Sequence, residues 1–220
     1  MRRMLGITLT LLALTHAPAA AQFCRGLASL PAGRLQATGV GSMANGSKSV
    51  GAGVAYALPM KAFGGVSLGM TEVEALEKAS LDLGAMLGYQ IALGGRGGAQ
   101  LCPMAGASLQ AGPNNAFNSG VDRSTFDATV GLTVGTSVTI RPDLLLVPAA
   151  GLGFAHRIHK AESSAGATLL RMSESYGTAQ FHLGFVLKQN LSLRPSVEIP
   201  LGLEGSNPTV GFTVGYNFGR

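Results

Sequence analysis

Apolar and polar positions alternate with period two along most of this chain, the spacing that gives a β-strand one oily and one polar face. In residues 209–218, Val210, Phe212, Val214, Tyr216 and Phe218 share one face, and Thr209, Gly211, Thr213, Gly215 and Asn217 share the other. Residues 126–140 repeat it, with Phe126, Ala128, Val130, Leu132, Val134, Val138 and Ile140 opposed to Asp127, Thr129, Gly131, Thr133, Gly135, Ser137 and Thr139. Weaker versions run over 33–43, 49–58, 63–71, 80–92, 99–110, 143–156, 174–187 and 191–201, which predicts ten strands, or eight if the weak first two are set aside. Each comes near the roughly 9 to 11 residues that a tilted strand needs to cross a bilayer.

The connectors between these segments fall into two alternating sets. After the second, fourth, sixth and eighth strands they are short and turn-like, at 59–62, 94–98, 141–142 and 188–190. After the odd-numbered strands most are longer and more polar, at 72–79, 111–125, 157–173 and 202–208. Short turns on one rim and long loops on the other is the arrangement of a closed antiparallel transmembrane barrel, and an even strand number puts both termini on the short-turn, periplasmic side.

Charge placement agrees with this reading. Only 12% of the residues are charged, about half the usual share in a soluble domain. Beyond Arg2 and Arg3, the charges that fall well inside predicted strands are Asp82, Asp127, Arg194 and Glu198, and all four lie on the small-polar face. A lysine or arginine on the lipid face near the midplane would cost about 2 to 4 kcal/mol, whereas one in the lumen keeps water or a partner. A soluble β-sandwich or lipocalin-like barrel would also alternate, but its polar face would carry lysine and glutamate rather than glycine, serine and threonine. The net charge of +5 contains no basic cluster after the first three residues, which argues against nucleic acid as a partner. The 32 glycines follow no three-residue period, which excludes collagen. Tyr56, Tyr89, Phe185, Tyr216 and Phe218 end even-numbered strands and predict an aromatic girdle at the periplasmic rim.

Arg2 and Arg3, an apolar run at 4–14 and Ala19-Ala20-Ala21 predict a cleaved secretory signal over 1–21, leaving 22–220 as a single barrel domain. The apolar run is too short for a membrane helix, which takes about 20 residues. Export implies an oxidising compartment, and Cys24 and Cys102 are the two cysteines of the chain. One precedes the first strand and the other opens the fifth, so both fall at the periplasmic rim, and a disulfide between them would tether the N-terminal segment.

With these features the chain resembles the small outer-membrane β-barrel proteins of Gram-negative bacteria, the OmpA-, OmpX- and porin-like group. The resemblance rests on the signal ending at Ala21, the alternating glycines such as Gly151, Gly153 and Gly184, and the closing strand that ends in Phe218. It implies an outer-membrane location, outer-membrane lipid as the surroundings, and the barrel assembly machinery as the reader of the closing strand. Here Gly219 and Arg220 follow the aromatic, where the family places it last.

Chemistry is harder to find. Omptin-like barrels carry paired aspartates and an aspartate–histidine pair at the outer rim, and Asp122, Asp127, His156 and His159 supply those residue types without a motif to join them. The His-x-Ser arrangement of lipid A deacylases is absent, since Ile158 and Ala161 stand two residues beyond the histidines. His156 and His159, three apart, face opposite ways on a strand, so no metal site is expected, and Gly151-x-Gly153 lacks the helix and lysine of a phosphate loop, so no cofactor is expected. Arg194 and Glu198 lie about 13 Å apart along a strand and must find partners across the lumen, with Asp82, Asp127, Gln180 and His182 as candidates for one polar network. The expected function is a non-enzymatic envelope barrel acting through the loops at 111–125 and 157–173, its surface ligand unspecified. The alternatives are a narrow channel for small solutes and an outer-rim hydrolase, the latter favoured if Asp122 or Asp127 meets His156.

Overall fold

An unbroken antiparallel ladder runs round the molecule and returns to its first strand. The computed structural model describes residues 25–27, 30, 32–73, 78–94, 98–112, 121–163, 167–203 and 206–218; the expected signal segment and Cys24 lie outside them. Among the described residues the strands are β1 (Leu35–Ala44), β2 (Ser47–Ala57), β3 (Ala62–Val73), β4 (Lys78–Tyr89, resuming at Ile91–Leu93) and β5 (Ala99–Ala111). They continue as β6 (Val121–Gly135, resuming at Val138–Arg141), β7 (Leu144–Ser163), β8 (Thr168–Leu187), β9 (Leu191–Leu201) and β10 (Thr209–Phe218). Each pairs with its sequence neighbours, and β10 pairs with β1 from Leu35 opposite Phe218 to Met43 opposite Val210. That last pairing makes the barrel ten-stranded and removes the eight-strand alternative. Closure is what a sheet in hydrocarbon requires, because an unpaired backbone edge has no water to bond.

The burial pattern is inverted relative to a soluble protein. Val50, Val66, Leu87, Val130, Leu152 and Phe154 are exposed, while Gln36, Ser80, Thr133, Ser192, Thr213 and Asn217 are buried. An exposed apolar belt of this extent marks a surface meant for something other than water. Along β10, Phe212 is 46% exposed and the adjacent Thr213 1%, so the two faces fall where the alternation predicts. No described helix is long and apolar enough to cross a membrane.

The outer side departs from the sequence reading. Residues 157–163 and 168–173, expected as loop, continue β7 and β8, with Arg157 opposite Glu174 and Met172 opposite His159. Residues 121–125 likewise belong to β6 and pair with 159–163. Beyond the bilayer both faces of a strand meet water, so the ladder persists while the alternation that reveals it disappears. On the short-turn side, Lys188 and Gln189 both have positive φ, 48° and 63°, in the turn from β8 to β9.

Candidate functional site

The chain's own N-terminal segment enters the lumen at its short-turn end. Gly26 has φ of 65° and is buried against β8 at Gly184, close enough that a Cβ at Gly184 would overlap the Gly26 carbonyl oxygen and stand 2.7 Å from its carbon. Only a glycine at 184 allows this approach, and the left-handed φ at 26 favours a glycine there. A Cβ on Gly26 itself would lie 3.1 Å from His182 Cβ and 3.2 Å from Arg194 Cδ. Leu27 is fully buried, and Leu30 packs with Ala55 and Ala57 of β2.

Arg194 of β9 holds the segment in place. Its Nη1 donates to the Arg25 carbonyl at 2.7 Å and its Nη2 to Thr213 Oγ1 at 2.8 Å. The Arg25 guanidinium lies 5.7 Å from the centre of the Phe63 ring on β3, a cation–π contact, so residue 25 spans from β9 to β3 across the lumen. Phe63 packs with Cys102, Met86 and Met104. Cys102 is fully buried and disulfide-bonded; Cys24, the chain's other cysteine, lies outside the described residues. Burial lowers the Arg25 guanidinium to about 10, which leaves it cationic at neutral pH.

Above the segment lies a lumenal cavity of about 440 Å³, with Arg25, His182, Arg194, Gln180 and Glu198 in its wall. His182 and Arg194 are walled in by the barrel yet retain accessible surface because they face this space. Arg194 Nε and His182 Nδ1 are buried without a hydrogen-bond partner.

Closer to the outer mouth the inner face carries a second set of charges. Arg157 Nε donates to Asp127 Oδ1 at 2.7 Å, Arg157 Nη1 lies 3.7 Å from Glu174 Oε1, and the guanidinium sits 5.2 Å from the Tyr176 ring centre. Gln180 Nε2 donates to Glu198 Oε2 at 2.9 Å. His159 Nδ1 bonds Thr125 Oγ1 at 2.9 Å and its Nε2 lies 3.5 Å from Glu174 Oε1. Asp82, on β4, accepts from Thr71 of β3 at 2.5 Å and reaches none of these groups with a hydrogen bond.

The six residues expected to form one network therefore all sit on the inner wall but divide into separate groups. Asp82 stands apart, Gln180 and Glu198 form a pair, Asp127 belongs with Arg157, and Arg194 and His182 belong with the N-terminal segment. The division is geometric, since side chains at different heights on different walls reach adjacent strands before they reach across. Arg157 was missed because 157–173 reads as loop, although it keeps the parity of inward-facing Gly151, Gly153 and Ala155, and Glu174 was passed over because it opens the strand expected at 174–187 opposite that loop. Arg25 was missed because nothing in its surroundings marks a segment that folds inward.

The arrangement expected of an outer-rim hydrolase does not form among the described residues. His156 Nδ1 bonds Ser175 Oγ at 2.8 Å on the opposite face of the sheet, and Asp127 is engaged by Arg157. No group of three histidine, cysteine or acidic side chains able to hold a metal is present among the described residues. Tyr56, Tyr89, Tyr216 and Phe218 are exposed on the outer face near the short-turn rim, with Phe185 half-buried beside them, and the Tyr216 and Phe218 rings meet edge to face at 5.1 Å.

No protein-family profile matches the chain, and no curated protein does. Among solved structures, the β domain of the Bordetella autotransporter BrkA is 13% identical with a TM-score of 0.52, over 86% of this chain and 100% of that one. The N-terminal β-barrel domain of Pseudomonas aeruginosa OprF is 16% identical with a TM-score of 0.36, over 85% and 98%. Ail, the attachment invasion locus protein of Yersinia pestis, is 12% identical with a TM-score of 0.43, over 84% and 99%. At such identity the likeness to the BrkA domain is one of fold alone. Together with the closed ladder and the apolar exterior, it gives this chain the fold of a bacterial outer-membrane β-barrel.

Proposed function

We propose that the protein is a non-enzymatic integral barrel of the Gram-negative outer membrane, closed from the periplasmic side by its own N-terminal segment and acting through the strands that project outward. The observation that carries this reading is the seat of Arg25 and Gly26 between Gly184, Arg194 and Phe63, inside the lumen where a through-channel would run. The outward part is β7 and β8, 20 residues each. That is about ten more than a span needs, or roughly 25 Å of projection at the usual strand rise and tilt. Its role is structural or interactive. Outer-membrane lipid surrounds the apolar belt, the aromatic group around Tyr56 and Tyr216 marks the periplasmic interface, and the barrel assembly machinery reads the closing strand.

Planar-bilayer recording tests the reading. The oxidised protein is expected to insert without conductance, and steady channel events from the native protein would overturn closure in favour of the narrow-channel alternative.

A further inference from the structure

Arg25 and Arg194 both border the 440 Å³ cavity and lie near enough to repel one another, with His182 beside them. Two cations held in one cavity need a counter-charge, and no described carboxylate supplies it with a hydrogen bond or ion pair. Glu198, the acid in the same wall, is bonded by Gln180 and interacts electrostatically with Arg157 and Asp127 on the mouth side. Asp82 is committed to Thr71.

Donors are also left over. Arg194 uses one N–H on each terminal nitrogen, toward Arg25 and Thr213, while its Nε–H has no partner, and the buried His182 Nδ1 has none either. A buried unmade donor is costly, and a guanidinium fork fits the edge of an oxyanion. We propose that this cavity is a binding site for a small free oxyanion of the phosphate class, held between the guanidinium groups of Arg25 and Arg194 with His182 as a third contact. A lipid phosphate shares the chemistry but carries acyl chains that belong against the exterior belt, so the source is a dissolved ion. The inference rests on the N-terminal segment being seated in the lumen, but not on the barrel failing to conduct.

The test is calorimetric titration of inorganic phosphate into the full-length, oxidised, detergent-folded barrel, at ionic strength held constant with sodium chloride. Saturable one-to-one binding is expected. Because the Arg25 backbone carbonyl, rather than its side chain, accepts from Arg194, Arg25→Met should keep the segment seated while weakening phosphate binding at least tenfold. Arg194→Gln should weaken it similarly, and protection of the Arg25–Gly26 peptide bond from trypsin in Arg194→Gln reports separately whether the segment stays in place. Absence of saturable heat in the native protein, or equal affinity in Arg25→Met, overturns the site. Either result leaves the closed barrel standing, which conductance alone decides.

Discussion

Replacing Gly184 with alanine puts one methyl group where the N-terminal segment lies. The new carbon would overlap the Gly26 carbonyl, and because both partners are backbone, no side-chain rotation relieves the clash. The seat is finely balanced. Burial of Leu27 and Leu30 is worth about 1.5 to 3 kcal/mol each, and the bond from Arg194 to the Arg25 carbonyl about 1.5 to 3 more. Ordering each residue of the segment costs roughly 1 to 2 kcal/mol of backbone freedom, which offsets much of that gain. A tether at Cys102 tips the balance by reducing the freedom of the released segment. If Gly184→Ala forfeits the Arg194 bond and the packing of one leucine, about 3 to 6 kcal/mol is lost, and local opening rises by roughly two to four orders of magnitude. The assay is trypsin cleavage after Arg25, followed by mass spectrometry after reduction. Cleavage should be slow in the native barrel and at least a hundredfold faster in Gly184→Ala. Gly39→Ala, where nothing lies within 4 Å of the added carbon, is the control and should match the native rate. A Gly184→Ala barrel that folds normally and is cut at the native rate would refute the seating of residues 25–27.

Further expectations concern the sheet, the turn and the disulfide. Leu68→Arg places a charge on the exposed outer face of β3 and should destabilise the vesicle-inserted barrel by about 2 to 4 kcal/mol in urea titrations. A change under half a unit would argue that this face does not meet lipid. Lys188 and Gln189 occupy left-handed backbone that suits Asn-Gly, so the double substitution Lys188→Asn/Gln189→Gly should stabilise the barrel by roughly 1 to 2 kcal/mol, read as a shifted urea midpoint. Alkylation of the native protein should modify neither Cys24 nor Cys102 until a reductant is added, and reduction should accelerate trypsin cleavage after Arg25.

The period-two alternation made the wall legible because the bilayer enforces it. Val210, Phe212 and Val214 must be apolar while Thr213 and Gly215 must be small, so one sequence pattern carries both the strand and its orientation. Where that pressure stops, legibility stops with it. Arg157, His159 and Lys160 stand in ladder register with Glu174, Met172 and Arg171, yet this stretch shows no continuous apolar face, and 157–173 reads as a polar loop. The lumen is harder still, since its contents are selected by what crosses it rather than by periodicity. Asp127 shows the difference: its inward direction followed from parity, but its partner Arg157 came from a stretch read as loop.

Gly184 and Gly26 express the deeper reason. Gly184 is one of two glycines in β8, where curvature alone would explain a glycine, and its parity says only that it faces inward. What distinguishes it from Gly39, with open space beside it, is a backbone from 158 residues earlier in the chain pressed against it. A missing side chain leaves no signature of what occupies its place, so a site made by close backbone approach is invisible to pattern and visible only in three dimensions. The buried cations follow from the same approach: once the segment enters, Arg25 is carried into a lumen that already holds Arg194, and their unbalanced charge is a consequence of the fold that neither residue announces alone.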